Sequence, residues 1–445
     1  MILFGLPTWF VLPSIFIVGT VIGSFLNVCI HRLPEHDSPL DGWKGLWHPP
    51  SHCPRCLHSI RLFDNVPIFG WIRLGGRCRD CRGNISIRYP LVEFFNGLLL
   101  VVLYMVEVGD LASTGGVTLE RASQLFHEFG PRGTPTSAWF SPPAILHWRY
   151  LYHLVLVEAL LVASLIDYDL KMIPDSVTAP AMLLGLAGGT MGCVHIVPLW
   201  VQDPGSVRSL IDGFLGAFDS LPGWVNAIRH APATPAWPVA SPHLHGLAVS
   251  VAGLITGGGV IWLVRLVGHW VLKQEAMGFG DVTLMAAIGS FIGWQPVLVV
   301  FFVAPLLAVV FGLAGWFLRR QRELPYGPFL AAGTLYLLCG WNHIWPRAES
   351  IFGWGPFFLV LLACGGIAFV PLLTLTRALR RLMGIPDPLP SQEDTWRAAD
   401  QLHYFAGETI DRFQGRWRCG PGTHPVGEEA GRGQRHESNW RGRNR

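Results

Sequence analysis

The chain has 445 residues, 51% of them apolar and only 14% charged, with a formal net charge of +3 and a mean hydropathy of +0.38. That balance excludes an ordinary soluble enzyme of this length and predicts a polytopic membrane protein. It excludes disorder over most of the chain, because weakly charged, apolar sequence can bury enough surface to order itself, and it argues against nucleic acid as a partner.

Apolar runs occupy residues 9–30, 91–108, 151–166, 177–201, 245–272, 282–294, 297–318, 329–345 and 354–375. A spanning helix takes roughly 20 residues, so the run at 282–294 is short and predicts a tilted helix or one ringed by protein. The expected fold is an all-α polytopic membrane protein with about eight or nine transmembrane helices. The first run has no basic segment before it and no small-residue cleavage site after it, and reads as an anchor.

Loop charge orients these runs. Arg32, Lys44 and seven arginines from Arg55 to Arg88 lie between the first two, an excess that the positive-inside rule assigns to the cytoplasm. Alternation then puts Lys171, Lys273, Arg319, Arg320 and Arg322, and finally Arg377, Arg380 and Arg381 on the same side. Adding or dropping one crossing would invert every later cluster. The connections at 109–149 and 202–242 fall outside; they are rich in Pro, Gly and Ser and suggest no function. From Gly384 onward the composition turns polar, which predicts that residues 376–445 form a largely disordered cytoplasmic tail.

The nine cysteines form no disulfide framework. Cys29, Cys193, Cys339 and Cys364 lie in apolar runs and read as small buried hydrophobes, and Cys419 stands alone in the tail. Cys53-Pro-Arg-Cys56 and Cys78-Arg-Asp-Cys81 differ from these: two C-x-x-C pairs among turn residues can bring four thiolates around one tetrahedral ion. A cytosolic location disfavours disulfides, and the expected ion is a structural Zn2+ holding a small loop domain at 31–89 that has little core of its own. The competing readings are a dithiol redox pair, which the double pair fits less well, and iron in place of zinc.

Two carboxylates mark the membrane boundary. Asp167 ends the apolar run before it, and Asp281 closes Gly278-Phe279-Gly280-Asp281 ahead of the next. Ionisable groups at such boundaries are functional candidates, although each also suits a solvated cap. Together they could form an aspartic dyad, one carboxyl protonated and one ionised, that activates water and polarises a scissile carbonyl. Gly278 and Gly280 would then let backbone and substrate approach. Asp169 and Asp175 compete for the first role. The former is expected to face water and the latter to cap the helix after Pro174; Glu93 and Glu275 rank lower.

Residues 19–34 (GTVIGSFLNVCIHRLP), the double cysteine pair, 85–93 (ISIRYPLVE), 167–175 (DYDLKMIPD), GFGD at 278–281 and LPYGP at 324–328 together resemble the bacterial prepilin peptidases, or type IV leader peptidases. The resemblance spans nearly all of 19–373 apart from the two outside connections. That family is similar to the presenilin-like GxGD aspartic proteases. It implies cleavage of the basic leader from prepilin and pseudopilin precursors at the cytoplasmic face of the bacterial inner membrane, with N-methylation of the new N-terminus by S-adenosylmethionine in many members. It implies Asp167 and Asp281 as the catalytic pair, Cys53, Cys56, Cys78 and Cys81 as zinc ligands, a methyltransferase-associated region at 19–108 and a protease core at 90–375. Two departures stand out: Thr283 where a lysine is usual, and Tyr326 where Phe is common. The sequence has no Rossmann-type glycine loop, so no methyl-donor residue can be named.

Prepilin-like precursors and membrane lipid are thus the expected partners. A GxGD protease with other membrane-anchored substrates is the first alternative. A zinc-stabilised transporter or scaffold is the second, disfavoured because both aspartates lie at one membrane face and not at the midplane.

Overall fold

The computed structural model describes residues 6–108 apart from 37, 48, 49 and 54, then 142–215, 222–230, 241–272, 277–319, 325–382, 408–411 and 416–419. In chain order its N-terminal helices are α1 (Thr8–Arg32), α2 (Pro39–Gly45), α3 (Phe69–Arg73) and α4 (Arg88–Glu107). Next come α5 (Pro142–Leu170), α6 (Asp175–Gly189), α7 (Pro204–Leu215), α8 (Gly223–Arg229) and α9 (Pro242–Leu272). The helical series closes with α10 (Phe279–Ile292), α11 (Trp294–Arg319), α12 (Gly327–Cys339), α13 (Trp341–Phe352) and α14 (Pro356–Leu382). In the tail, β1 (Glu408–Asp411) and β2 (Arg416–Cys419) pair antiparallel, a hairpin that the polar composition did not signal.

Helices α1, α4, α5, α9, α11 and α14 contain the 6 stretches long and apolar enough to cross a membrane, and α10 and α12 are shorter apolar helices. The fold is therefore all-α and multi-pass, as composition predicted. The short run at 282–294 is ringed by protein: every residue of α10 from Asp281 to Ile292 except Thr283 is buried. Two other runs differ from expectation. The run at 177–201 is helical only to Gly189, after which Gly192 adopts φ +77° and the chain turns. The run at 329–345 breaks at Gly340 between α12 and α13. Glycine is common inside membrane helices, so neither break was visible in the hydropathy. Of the two connections expected outside, residues 142–149 are the first turns of α5, α7 and α8 lie within the second, and 109–141, 216–221 and 231–240 fall outside the described residues, as does most of the tail.

Small residues let these helices meet. On α1, Gly19 and Gly23 face α4 so closely that a Cβ would lie 2.7 Å from the Gly97 Cα and 2.8 Å from the Glu93 Cα, a small-xxx-small contact of the kind that brings membrane helices together. Between α9 and α10, a Cβ on Gly253 would overlap the carbonyl of Gly289, and one on Gly289 the carbonyl of Gly253.

Polar rungs then join α4 to α5, which run antiparallel. Arg88 Nη1 meets Asp169 Oδ2 at 2.6 Å. Asn96 Nδ2 donates to Glu158 Oε1 at 3.0 Å. At the far end Glu107 takes Arg149 at 3.2 Å and His153 at 2.7 Å, all three nearly inaccessible to solvent. Removing one member of such a buried ion pair leaves an uncompensated charge, at a cost of about 3–5 kcal/mol.

Because α10 carries Asp281, the Gly253–Gly289 contact sets the position of that residue. Overpacking of this kind typically costs about 1–3 kcal/mol, so Gly253→Val is expected to lower thermal stability in detergent, read by the unfolding midpoint, whereas Gly259→Val, with open space where its Cβ would stand, should leave the midpoint unchanged.

Candidate functional site

Asp167 sits in the last turn of α5. The helix ends at Leu170 because Lys171 takes a left-handed conformation (φ +55°) while its N–H still bonds the Asp167 carbonyl at 2.9 Å, the αL type of helix termination. The chain then runs through Ile173 to Pro174, the N-cap of α6. Asp175 is thus the first residue of α6 and Pro174 the N-cap, which corrects the expected role of Asp175 as the cap.

Asp281 lies at the third position of α10, and its carboxyl accepts a hydrogen bond from the backbone of Gly278, the N-cap. This is half of a capping box and fixes the side chain at the helix start. The N-terminal dipole of α10 favours negative charge there.

Ile173 brings the two ends together. A Cβ on Gly280 would stand 2.9 Å from the Ile173 Cβ, so the loop after α5 lies directly on the GFGD turn. Gly280 therefore serves an approach of protein to protein, and Gly278, whose Cβ would meet nothing closer than Asp281 Oδ2 at 3.7 Å, leaves the open side. A third segment joins here: the N–H of Gly327, first residue of α12, donates to Asp167 Oδ2 at 2.8 Å. A Cβ on Gly327 would lie 2.7 Å from that oxygen and 3.2 Å from the Ile173 Cδ1. Asp167 and Asp281 are 6% and 8% exposed and within electrostatic range of one another. Two buried carboxyls so placed can share a proton and divide the work of acid and base.

The residues around the pair include several that the sequence left unassigned. Tyr326 has its hydroxyl buried without a hydrogen-bond partner and lies within electrostatic range of Asp281. Thr283 turns its hydroxyl to the Gly280 carbonyl at 3.1 Å, so it braces the turn and supplies no charge. Asp169 does not simply face water; its partner is Arg88 at the start of α4. Glu93 accepts the Ile68 N–H at 2.6 Å and is engaged in holding the cysteine module to α4. Glu275 lies outside the described residues.

The four cysteines converge. Their sulfurs all lie within 4.8 Å of one another, with Cys53–Cys81 at 3.8 Å and Cys56–Cys78 at 3.9 Å. A tetrahedral ion with Zn–S bonds of about 2.3 Å needs sulfur separations of about 3.8 Å, so the donor set and its spacing fit zinc. The two knuckles are built alike. In each, the first cysteine's N–H bonds a carbonyl five residues on (Cys53 to His58, Cys78 to Gly83), and the residue after the second cysteine, Leu57 or Arg82, has φ near +60°. Beside them Arg79 donates to Asp64 through two nitrogens, and that charged hydrogen bond holds the Asp64 carboxyl below the usual carboxylate range.

Comparison with known proteins bears on both regions. Residues 17–106 match the family model described as the bacterial peptidase A24 N-terminal domain, and residues 234–313 match that of the type IV leader peptidase family. The second segment contains Asp281, whereas Asp167 lies between the two. A prepilin leader peptidase/N-methyltransferase of Aeromonas salmonicida is 30% identical over 362 residues, covering 76% of this chain and 93% of that protein. Proteins of the same description from Burkholderia pseudomallei (29%, covering 80% of this chain and 90% of the relative) and Pseudomonas aeruginosa (28%, 75% and 92%) are also similar. No solved structure matches.

The thiolate geometry leads to a metal-content test. Purified chain is expected to carry one zinc per molecule by elemental analysis, and Cys78→Ser to carry almost none, with the 51–85 segment becoming protease-sensitive. Full protease resistance of Cys78→Ser would show that the knuckles hold without an ion.

Proposed function

The chain belongs to the type IV leader peptidase family, and from that premise we propose that Asp167 and Asp281 are the two carboxyl groups with which it cuts its substrates. As a member of this family it is a membrane aspartic protease acting in prepilin processing, with an associated N-methyltransferase function. The observation that carries the residue assignment is the convergence on Ile173 of the DYDLKMIP loop, the GFGD turn and the start of α12, with Asp167 tethered by Gly327.

The chemistry follows from that placement. One carboxyl, ionised, takes a proton from a water molecule held between the pair as the water attacks the scissile carbonyl. The other, protonated, donates to the carbonyl oxygen; as the tetrahedral intermediate collapses, the first carboxyl passes the proton it took from water to the leaving amine and the second takes back a hydroxyl proton. The Gly327 N–H stays on Asp167 Oδ2 and fixes the rotamer of that side chain, leaving its other oxygen for the reaction. The buried surroundings strengthen both interactions by excluding bulk water.

The finer features belong to the same proposal. The substrates are prepilin-like precursors whose leaders reach the pair from the cytoplasmic side of the inner membrane, the side to which the arginine-rich 31–89 segment is assigned by charge. Zinc at Cys53, Cys56, Cys78 and Cys81 is structural, since four thiolates leave no open coordination position. The methyl donor is S-adenosylmethionine, taken up by the N-terminal segment. Its positively charged sulfonium is complementary to two acceptors without donors, Asn96 Oδ1 and Glu158 Oε2, buried where α4 meets α5.

Asp167→Asn and Asp281→Asn are each expected to lower leader cleavage of a co-expressed precursor by at least the roughly 100- to 10,000-fold typical of acid–base catalysis, with membrane insertion unchanged. Asp175→Asn should cost no more than about 1 kcal/mol of stability through the helix dipole and leave cleavage intact. Near-normal cleavage by Asp281→Asn would end the assignment; a dead Asp169→Asn beside an active Asp167→Asn would move the first role by one residue pair.

A further inference from the structure

The cysteine module carries a group of large apolar side chains that the site above does not use. Leu62 and Phe63, in the short 3-10 turn Leu62–Asp64, are 87% and 76% exposed, and Phe69 and Ile72 of α3 are 59% and 62% exposed. Phe69 and Ile72 are three residues apart and share one side of α3. Trp71 turns inward instead, its indole N–H on the Ile85 carbonyl at 3.1 Å. A module held by four thiolates has little core, and so many uncovered aromatic and aliphatic groups mark a surface meant to be covered.

Three observations say by what. Charge is the first: residues 53–82 hold six arginines against two aspartates, and Arg61 and Arg73, both exposed, flank the apolar residues closely enough to act on Asp64 in their midst. Position is the second. Ile68, at the N-cap of α3, is held in a left-handed conformation (φ +61°) with its N–H on Glu93 Oε2 at 2.6 Å. Glu93 lies five residues into α4, a membrane-spanning helix, so α3 sits beside the entry of that helix into the apolar layer. Pattern is the third: exposed Phe, Leu and Ile bounded by arginines at either end is the composition of segments that lie in the boundary between headgroups and acyl chains.

We propose that this face of the cysteine module, Leu62, Phe63, Phe69 and Ile72 rimmed by Arg61 and Arg73, rests in the headgroup region of the bilayer and binds anionic lipid. Each arginine near a negatively charged leaflet adds to binding, and the apolar groups dip below the phosphates. The module is thereby held flat against the membrane, independently of which residues cut the substrate.

The test uses the full, zinc-loaded chain in nanodiscs of phosphatidylcholine alone or mixed with phosphatidylglycerol. Benzoylphenylalanine replaces Phe63 or Phe69, and photoadducts are identified by mass. Lipid adducts are expected at both positions, and Arg73→Gln should reduce them by up to about fivefold in the anionic discs. In a Leu62→Ser, Ile72→Ser chain the same probes should lose most of their lipid adducts while the zinc content stays at one per chain, which shows that the module is folded. Insertion only into an added precursor would make this a substrate surface, and insertion into a second copy an oligomer contact. Either result, or probes that capture neither lipid nor protein, would overturn the proposal.

Discussion

One hydrogen bond holds the arrangement of the two aspartates: the N–H of Gly327 on Asp167 Oδ2. It ties the end of α5 to the start of α12, and it requires that residue 327 have no side chain, because a Cβ would press on the same oxygen and on Ile173. Ile173 in turn packs on Gly280, which sets the GFGD turn and hence Asp281. Three segments spread over 160 residues of sequence are thus locked by two glycines and one isoleucine. The carboxyl pair follows from that packing, and α9, packed on α10 through Gly253, keeps it in place from behind.

The N-terminal part is joined to this core along α4 and α5. Its polar rungs are unequal in kind. Arg88–Asp169 is half-exposed, and its value lies in geometry, since it connects the first turn of α4 to the residue two positions after Asp167. Glu107 with Arg149 and His153 is buried, so the loss of any one member would leave an uncompensated charge in the interior. The cysteine module hangs from the same helix through Ile68 and Glu93. Through α4, the knuckles are mechanically linked to α5, the helix that carries Asp167.

Much of the site was legible in the sequence because it is local. C-x-x-C pairs announce their chemistry by spacing, and a carboxylate at the end of an apolar run is conspicuous in a chain with so few charges. What escaped was pairwise and distant. Nothing in DYDLKMIPD says that Asp169 will meet Arg88, that Ile173 will touch Gly280, or that Asp167 will take its hydrogen bond from residue 327. Asp175 was expected one helix position too early, since Pro174 fills the N-cap. The breaks at Gly189 and Gly340 were hidden because glycine inside an apolar run carries no local signal of a turn.

The central claim is that Asp167 and Asp281 face one another across a single reaction site. The most direct measurement replaces both by cysteine in the full chain and treats membranes with the shortest bifunctional methanethiosulfonate reagent, locating the cross-link by peptide mass spectrometry. The account predicts a link between positions 167 and 281 in high yield, prevented by prior labelling of either cysteine. Two cysteines that each react with a monofunctional reagent yet never become linked to one another would contradict it.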